Sequence, residues 1–167
     1  MGKILNDMQA FKDSLELTKP RITLLALLTA AAGYVLAPGP FENAPFFWTL
    51  LGVALLVAGA GTLNMYLERE VDRLMERTST RPLPQGRLSP DWSLGLGSLL
   101  IGLSLPMLYF GARPSAALGG LLSLMIYVLI YTPLKRKSSL SLWVGAIPGA
   151  APPLIGWIAA AGRVGLA

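Results

Sequence analysis

Apolar runs and short polar stretches alternate along the whole chain, and nearly all the charge collects in the polar stretches. The pattern predicts membrane-spanning helices over about 21–37, 46–66, 92–110, 115–131 and 140–160. The second run holds about 21 residues, which as an α-helix reach roughly 31 Å, the thickness of a bilayer's hydrocarbon core. The first is short, so the preceding residues are expected to add a turn. Pro20 suits a first helical turn, where a missing N–H costs nothing. Pro38-Gly39-Pro40 stops that run, Pro106 interrupts the third, and Gly111-Ala112-Arg113-Pro114 reads as a tight turn. Pro148, Pro152 and Pro153 should free carbonyls and kink the fifth. Ahead of the first run, Leu5, Met8, Phe11 and Leu15 recur at spacings of three and four among charged residues, as in a helix lying at the interface. The expected fold class is all-α, a polytopic transmembrane helix bundle, with 67–91 as a long polar loop.

Composition agrees with the pattern. The chain of 167 residues is 53% hydrophobic and only 14% charged, where soluble domains carry about 25% charged residues. It has no cysteine and no histidine, which excludes disulfides, thiol chemistry and imidazole ligands. The net charge of +5 does not mark a nucleic-acid-binding face, because the basic residues sit between apolar runs. With five spans, 12 of the 14 Lys and Arg fall on one side: the N-terminus, the 67–91 loop and Lys135-Arg136-Lys137. Only Arg113 and Arg163 fall on the other. The positive-inside rule places the N-terminus and the long loop in the cytoplasm. Trp48, Trp92, Trp143 and Trp157 lie near span ends, as in an interfacial belt. The second run is slimmed by Gly52, Ala54, Ala58, Gly59, Ala60 and Gly61. Gly52 reads as a close helix contact, while Gly59 and Gly61 fit either packing or room for a bulky ligand.

Candidate chemistry lies where the second run leaves the membrane. If the helix continues, Asn64, Glu68 and Asp72 stand at i, i+4 and i+8 on one face, spread over roughly 12 Å of axis. Arg69, Arg73, Arg77, Arg81 and Arg87 crowd the same stretch. Acids and arginines there can simply pair with one another as a solvated helix end. They can also hold a divalent metal and a phosphate between them, since Mg²⁺ takes hard oxygen ligands from one or two carboxylates plus substrate phosphates, and arginines grip the remaining anionic oxygens. Diphosphate at the mouth and apolar walls below point to a lipid diphosphate as substrate.

The segment Asn64-x3-Glu68-x3-Asp72, followed by Met75-Glu76-Arg77-Thr78-x2-Arg81-Pro82-Leu83-Pro84-x-Gly86, resembles the first acidic motif of the UbiA-type intramembrane prenyltransferases. Leu17-Thr18-Lys19-Pro20-Arg21, Tyr131-Thr132-x2-Lys135-Arg136 and Gly149-Ala150-x-Pro152-Pro153-Leu154-Ile155-Gly156-Trp157 are similar to motifs of the haem-farnesylating branch. The resemblance implies a bundle of nine spans around a membrane-open cavity, with two acidic motifs that bind Mg²⁺ and a prenyl diphosphate. It implies ionisation of the allylic C–O bond, then capture of the carbocation by an acceptor, here haem b with farnesyl diphosphate as donor. On this chain it makes Asn64, Glu68 and Asp72 the metal-binding and catalytic residues. It assigns diphosphate binding to Arg77, Arg81, Tyr131 and Lys135, the last of which equally fits a positive-inside anchor.

Two departures from the family pattern stand out. The family commonly has aspartate where this chain has Glu68, and its haem branch also at Glu70. No second acidic motif follows before Ala167, so the expectation is a fragment of a longer enzyme, about five of nine spans, needing a C-terminal half and inactive alone. Other readings predict different behaviour. The same chemistry on a quinone precursor or chlorophyll-type ring would keep diphosphate binding, whereas a transporter half would show no Mg²⁺-dependent binding of diphosphate.

Overall fold

Asn43–Leu74, called α3, runs unbroken for 32 residues and forms the axis on which the other helices pack. The computed structural model describes residues 2–162, with side-chain surroundings from Met8 onward. The expectations placed on Leu5 and Arg163 as side chains lie outside that range. Around α3 stand α1 (Gly2–Leu17), α2 (Pro20–Leu36), α4 (Pro90–Ala112), α5 (Pro114–Leu134) and α6 (Ser141–Ala161). All described secondary structure is helical. Four of these helices are long and apolar enough to cross a membrane, or five if the bent pair Met8–Leu17 and Pro20–Leu36 is taken as one span. The chain is a multi-pass membrane protein, and its surface is accordingly rich in exposed Leu, Ile and Phe.

Two boundaries differ from the sequence reading. Residues 67–74 belong to α3 rather than to the loop, and 90–91 open α4, so the loop is confined to 75–89. Nothing between Leu67 and Leu74 breaks a helix: the next prolines are Pro82 and Pro84. Arg69 also stacks its guanidinium over the Tyr66 ring at 4.8 Å, and Arg73 meets Glu70 at 3.5 Å one turn back. At the other boundary, Ser89 caps α4 by accepting from the Trp92 amide, with Pro90 at the first helical position. The lead-in does form a helix, but it bends by 47° from α2 instead of extending it straight. Lys19, at the elbow, adopts a left-handed backbone with φ 49°.

The prolines act locally. Pro106 is followed by a π-helical turn, Met107–Ala112, and a second such turn covers Ile126–Tyr131 within α5. Helix α6 continues through Pro148, Pro152 and Pro153. Its last carbonyls, Ala159 and Ala160, accept from the Arg113 guanidinium at 2.9 and 3.4 Å, which occupies that arginine at the end of the bundle remote from the 75–89 loop.

Small residues set how close the helices come. A Cβ on Gly33 would fall 2.0 Å from the Pro153 carbonyl oxygen, and one on Gly156 would fall 2.0 Å from that of Ala30. So α2 and α6 touch backbone to backbone, as small residues permit in lipid. Gly52 packs on Leu108 of α4, in keeping with the reading above. Gly59 does the same on Ile101 and Gly97, while Gly61 leaves room for the stem of Lys19. The main core gathers Ala26, Ala30, Val53, Leu56, Leu108 and Ile155. A smaller cluster of Leu17, Met65, Leu83 and Leu88 seats the 75–89 loop on α1 and α3.

The α2–α6 contact makes a test. Gly156→Leu forces the two backbones apart and should destabilise the protein by about 2–3 kcal/mol, read as a lowered midpoint of thermal unfolding in detergent. Gly102→Ala, where a Cβ meets nothing within 4 Å, should leave that midpoint unchanged or slightly raised. Equal behaviour of the two variants would refute the close-packed interface.

Candidate active site at the end of the third helix

The uninterrupted α3 carries Asn64, Glu68 and Asp72 out of the apolar core on a single face, and all three are buried, at 2%, 4% and 4% exposure. Buried oxygens of this kind need partners, and each finds a cation from a different part of the chain. Lys19, from the α1–α2 elbow, donates to Asn64 Oδ1 at 3.1 Å. Lys135, from the end of α5, donates to Glu68 Oε2 at 2.6 Å. Arg81, from the loop, donates to Asp72 Oδ2 at 2.7 Å. The Asn64 amide donates to Thr132 Oγ at 3.2 Å, and the Thr132 hydroxyl in turn donates to the Tyr127 carbonyl. Thr78 donates to the Asp72 carbonyl and ties the start of the loop to the ladder.

The second oxygen of each carboxylate, Glu68 Oε1 and Asp72 Oδ1, accepts no hydrogen bond among the described residues and is not sealed from solvent. These open oxygens and the Asn64 amide are hard donors that fit a magnesium ion. No group of three Asp, Glu, His or Cys side chains that could hold a metal ion converges among the described residues, so the ladder by itself is short of a full set of metal ligands. Charge agrees: Lys19, Arg81 and Lys135 bring three positive charges against two on Glu68 and Asp72, a surplus of one. Burial, with Arg81 and Lys135 close by, pushes the Lys19 ammonium down to about 8.

Beneath the ladder lies a cavity of about 360 Å³, lined among others by Ile22, Val53, Leu56, Tyr127, Tyr131 and Pro152. Tyr127 and Tyr131 stack there with centroids 5.4 Å apart, and the Lys135 ammonium sits 5.7 Å from the Tyr131 ring. Of the residues proposed from sequence for diphosphate, Arg81 and Lys135 meet the ladder and Tyr131 walls the cavity beside it. Arg77 is exposed on the loop and is not brought to the ladder. Arg136, rather than lying free as an anchor, donates to the Leu67 carbonyl and straps α5 to α3. Sequence reasoning gave Lys19 and Thr132 no role, although both lie in its motifs, and missed Tyr127. A lysine directly before a proline at the mouth of a span was the available signal for the first.

Fold and site together define an intramembrane helical protein with an oxygen-rich, cation-flanked mouth over an apolar chamber. Residues 26–167 match the UbiA prenyltransferase family, and the chain belongs to it. It is 46% identical over 159 residues to a protoheme IX farnesyltransferase of Anaeromyxobacter sp. (strain Fw109-5), covering 95% of this chain and 54% of that protein. It is 48% identical over 147 residues to the enzyme of the same name from Myxococcus xanthus, covering 88% and 50%. The chain thus spans about half the length of the curated relatives it matches. A solved structure described as digeranylgeranylglyceryl phosphate synthase in membranes superposes with a TM-score of 0.82 at 18% identity, over 90% of this chain and 53% of that one, and shares its fold.

The buried pairs can be separated from the surface ones. A double-mutant cycle of Asp72→Asn and Arg81→Met should give a coupling of about 1–3 kcal/mol in thermal stability. The exposed Glu70–Arg73 pair should give at most about 0.5 kcal/mol. A coupling at Asp72–Arg81 no larger than at Glu70–Arg73 would reduce the ladder to a solvated helix end.

Proposed function

We propose that these helices build the prenyl-diphosphate side of a farnesyltransferase that acts on haem b and yields haem O. The observation that carries this is the one-to-one pairing of three buried oxygen ligands with three cations, directly above an apolar cavity. The names and similarity of the relatives support farnesyl as the donor group and haem as the acceptor. Because those relatives are about twice as long, the activity is proposed for the whole protein. In this reading the basic mouth faces the cytoplasm, an orientation supported by the gathering of 12 of 14 Lys and Arg on one side.

In this mechanism the diphosphate lies along the ladder and the prenyl chain descends into the cavity. Magnesium, held by Asn64, Glu68 and Asp72, would neutralise charge on the diphosphate as it leaves. Arg81 and Lys135 each keep one carboxylate oriented and present their remaining N–H groups to the anionic oxygens, so charge building on the leaving group meets donors already in place. The allylic C–O bond breaks with its electron pair on the phosphate oxygen. The acceptor's vinyl π electrons then form the new carbon–carbon bond, which leaves the positive charge on the vinyl carbon next to the ring; it is discharged when a water molecule adds there and loses a proton. Val53, Leu56, Ile155 and their neighbours keep water from the allylic carbocation before that bond forms.

Glu68→Gln and Asp72→Asn should each lower farnesyl transfer to haem b by about a hundredfold or more, measured as product formed by the whole protein in detergent with Mg²⁺. Chelation of the metal should have an effect of the same order. Activity of both variants within a few-fold of the parent would remove the catalytic role. Offering quinone precursors and a chlorophyll-type ring beside haem b tests the acceptor: preference for one of those would keep the chemistry and overturn the substrate.

A further inference from the structure

Lys19 belongs to a motif that the mechanism above leaves without a task. Its surroundings set it apart from the other two cations. Lys135 and Arg81 each face a carboxylate, so those contacts are charge-neutral pairs. Lys19 faces the uncharged amide oxygen of Asn64 and makes no ion pair among the described residues. The surplus positive charge of the site therefore resides on it. A partly buried ammonium with no counter-ion is costly and calls for an anion.

Further observations concern the same residue. Lys19 is the one non-glycine residue with positive φ among those described. It also precedes a proline, which restricts its backbone further. Strain of this kind persists where the surroundings hold a side chain in one place, and it concentrates at ligand clamps. Gly61 of α3 gives passage to its stem, since a Cβ there would come within 3.4 Å of the Lys19 Cδ. Finally, of the charged residues at the ladder, Lys19 alone also lines the cavity. It sits at the inner rung, beside Asn64, where the chamber for the prenyl chain begins.

We propose that Lys19 is the cationic ligand of the phosphate that carries the prenyl chain, while Arg81 and Lys135 hold the outer part of the diphosphate. The inference rests on the proposed function and adds to it a division of labour along the ladder. As the allylic C–O bond breaks, both bonding electrons pass to the bridging oxygen. The Lys19 ammonium donates a hydrogen bond to the phosphate that receives them and keeps its own protons throughout. Its contribution is therefore larger in the transition state than in the bound substrate. It should appear in kcat more than in KM.

The test uses the whole protein in detergent with Mg²⁺, in parent, K19M, K19R and K137M forms. Inorganic diphosphate is the binding probe and farnesyl diphosphate with haem b the turnover substrate. K19M should bind inorganic diphosphate about ten- to a hundredfold more weakly and lower kcat by at least that factor, beyond whatever melting is lost with the Asn64 contact. K19R should recover part of both losses, and K137M, at an exposed position, should match the parent. If the parent binds diphosphate and K19M binds it equally well, the role of Lys19 is overturned while the site reading survives. Should K19M melt lower and K19R restore only the melting, Lys19 is a strut between helices and the proposal fails. Absence of diphosphate binding in the parent would overturn the site reading and this inference together.

Discussion

Two carboxylates and an amide oxygen placed on a buried helix face at the rim of an apolar bundle cannot stay without partners. In a low-dielectric setting each would cost several kcal/mol. The chain meets this constraint by drawing cations from three separate places to one helix. Lys19 comes from the elbow between α1 and α2, Lys135 from the end of α5, and Arg81 from the 75–89 loop. The same three contacts thus position the elbow, the end of α5 and the loop. Secondary links lock each in register: Arg136 on the Leu67 carbonyl, Thr132 on Asn64, Thr78 on the Asp72 carbonyl. Arg87, paired with the buried Asp13 of α1 at 3.1 Å, holds the far side of the loop.

The apolar half of the molecule answers a different demand. Lipid gives helices no hydrophobic reason to associate, so close packing and a few hydrogen bonds must do it. Gly33 and Gly156 bring α2 and α6 into backbone contact, and Gly59 against Gly97 does so for α3 and α4. Ser104 donates to the Gly52 carbonyl across that second interface at 2.8 Å. Where the helices instead diverge, below Asn64, the cavity opens. Helix α3 belongs to both halves. Its inner turns pack and line the chamber, and its outer turns carry the ladder, so one rigid element fixes the spacing between the two.

The ladder and most helices could be read from the sequence because both rest on local rules. Apolar runs bounded by prolines mark spans, and spacing of four marks a helix face whatever lies around it. What escaped depended on partners distant in the chain. Lys19 and Asn64 are 45 residues apart, and Lys135 and Glu68 are 67 apart, separations at which periodicity carries no information. Polarity also misled at 67–74, where charged residues looked like loop although the backbone had no reason to leave the helix. Arg77 illustrates the converse limit. A motif places an arginine in the right loop, but only the fold says that its neighbour four residues on, Arg81, is the one that turns inward to Asp72.

The two glutamates that depart from the expected family pattern differ in consequence. Glu70 lies two residues from Glu68, on the opposite side of α3, exposed and paired with Arg69 and Arg73. Its extra methylene touches nothing at the ladder, so that departure is neutral for the site. Glu68 is on the ladder face and buried, and one oxygen already reaches Lys135. A longer side chain there pushes the carboxylate away from the helix axis, toward the end of α5. The geometry therefore concentrates the effect of such a departure on Glu68, and it couples that carboxylate to the position of Lys135. A change at either residue has to be read as a change in the spacing between α3 and α5, not as the exchange of one oxygen donor for another.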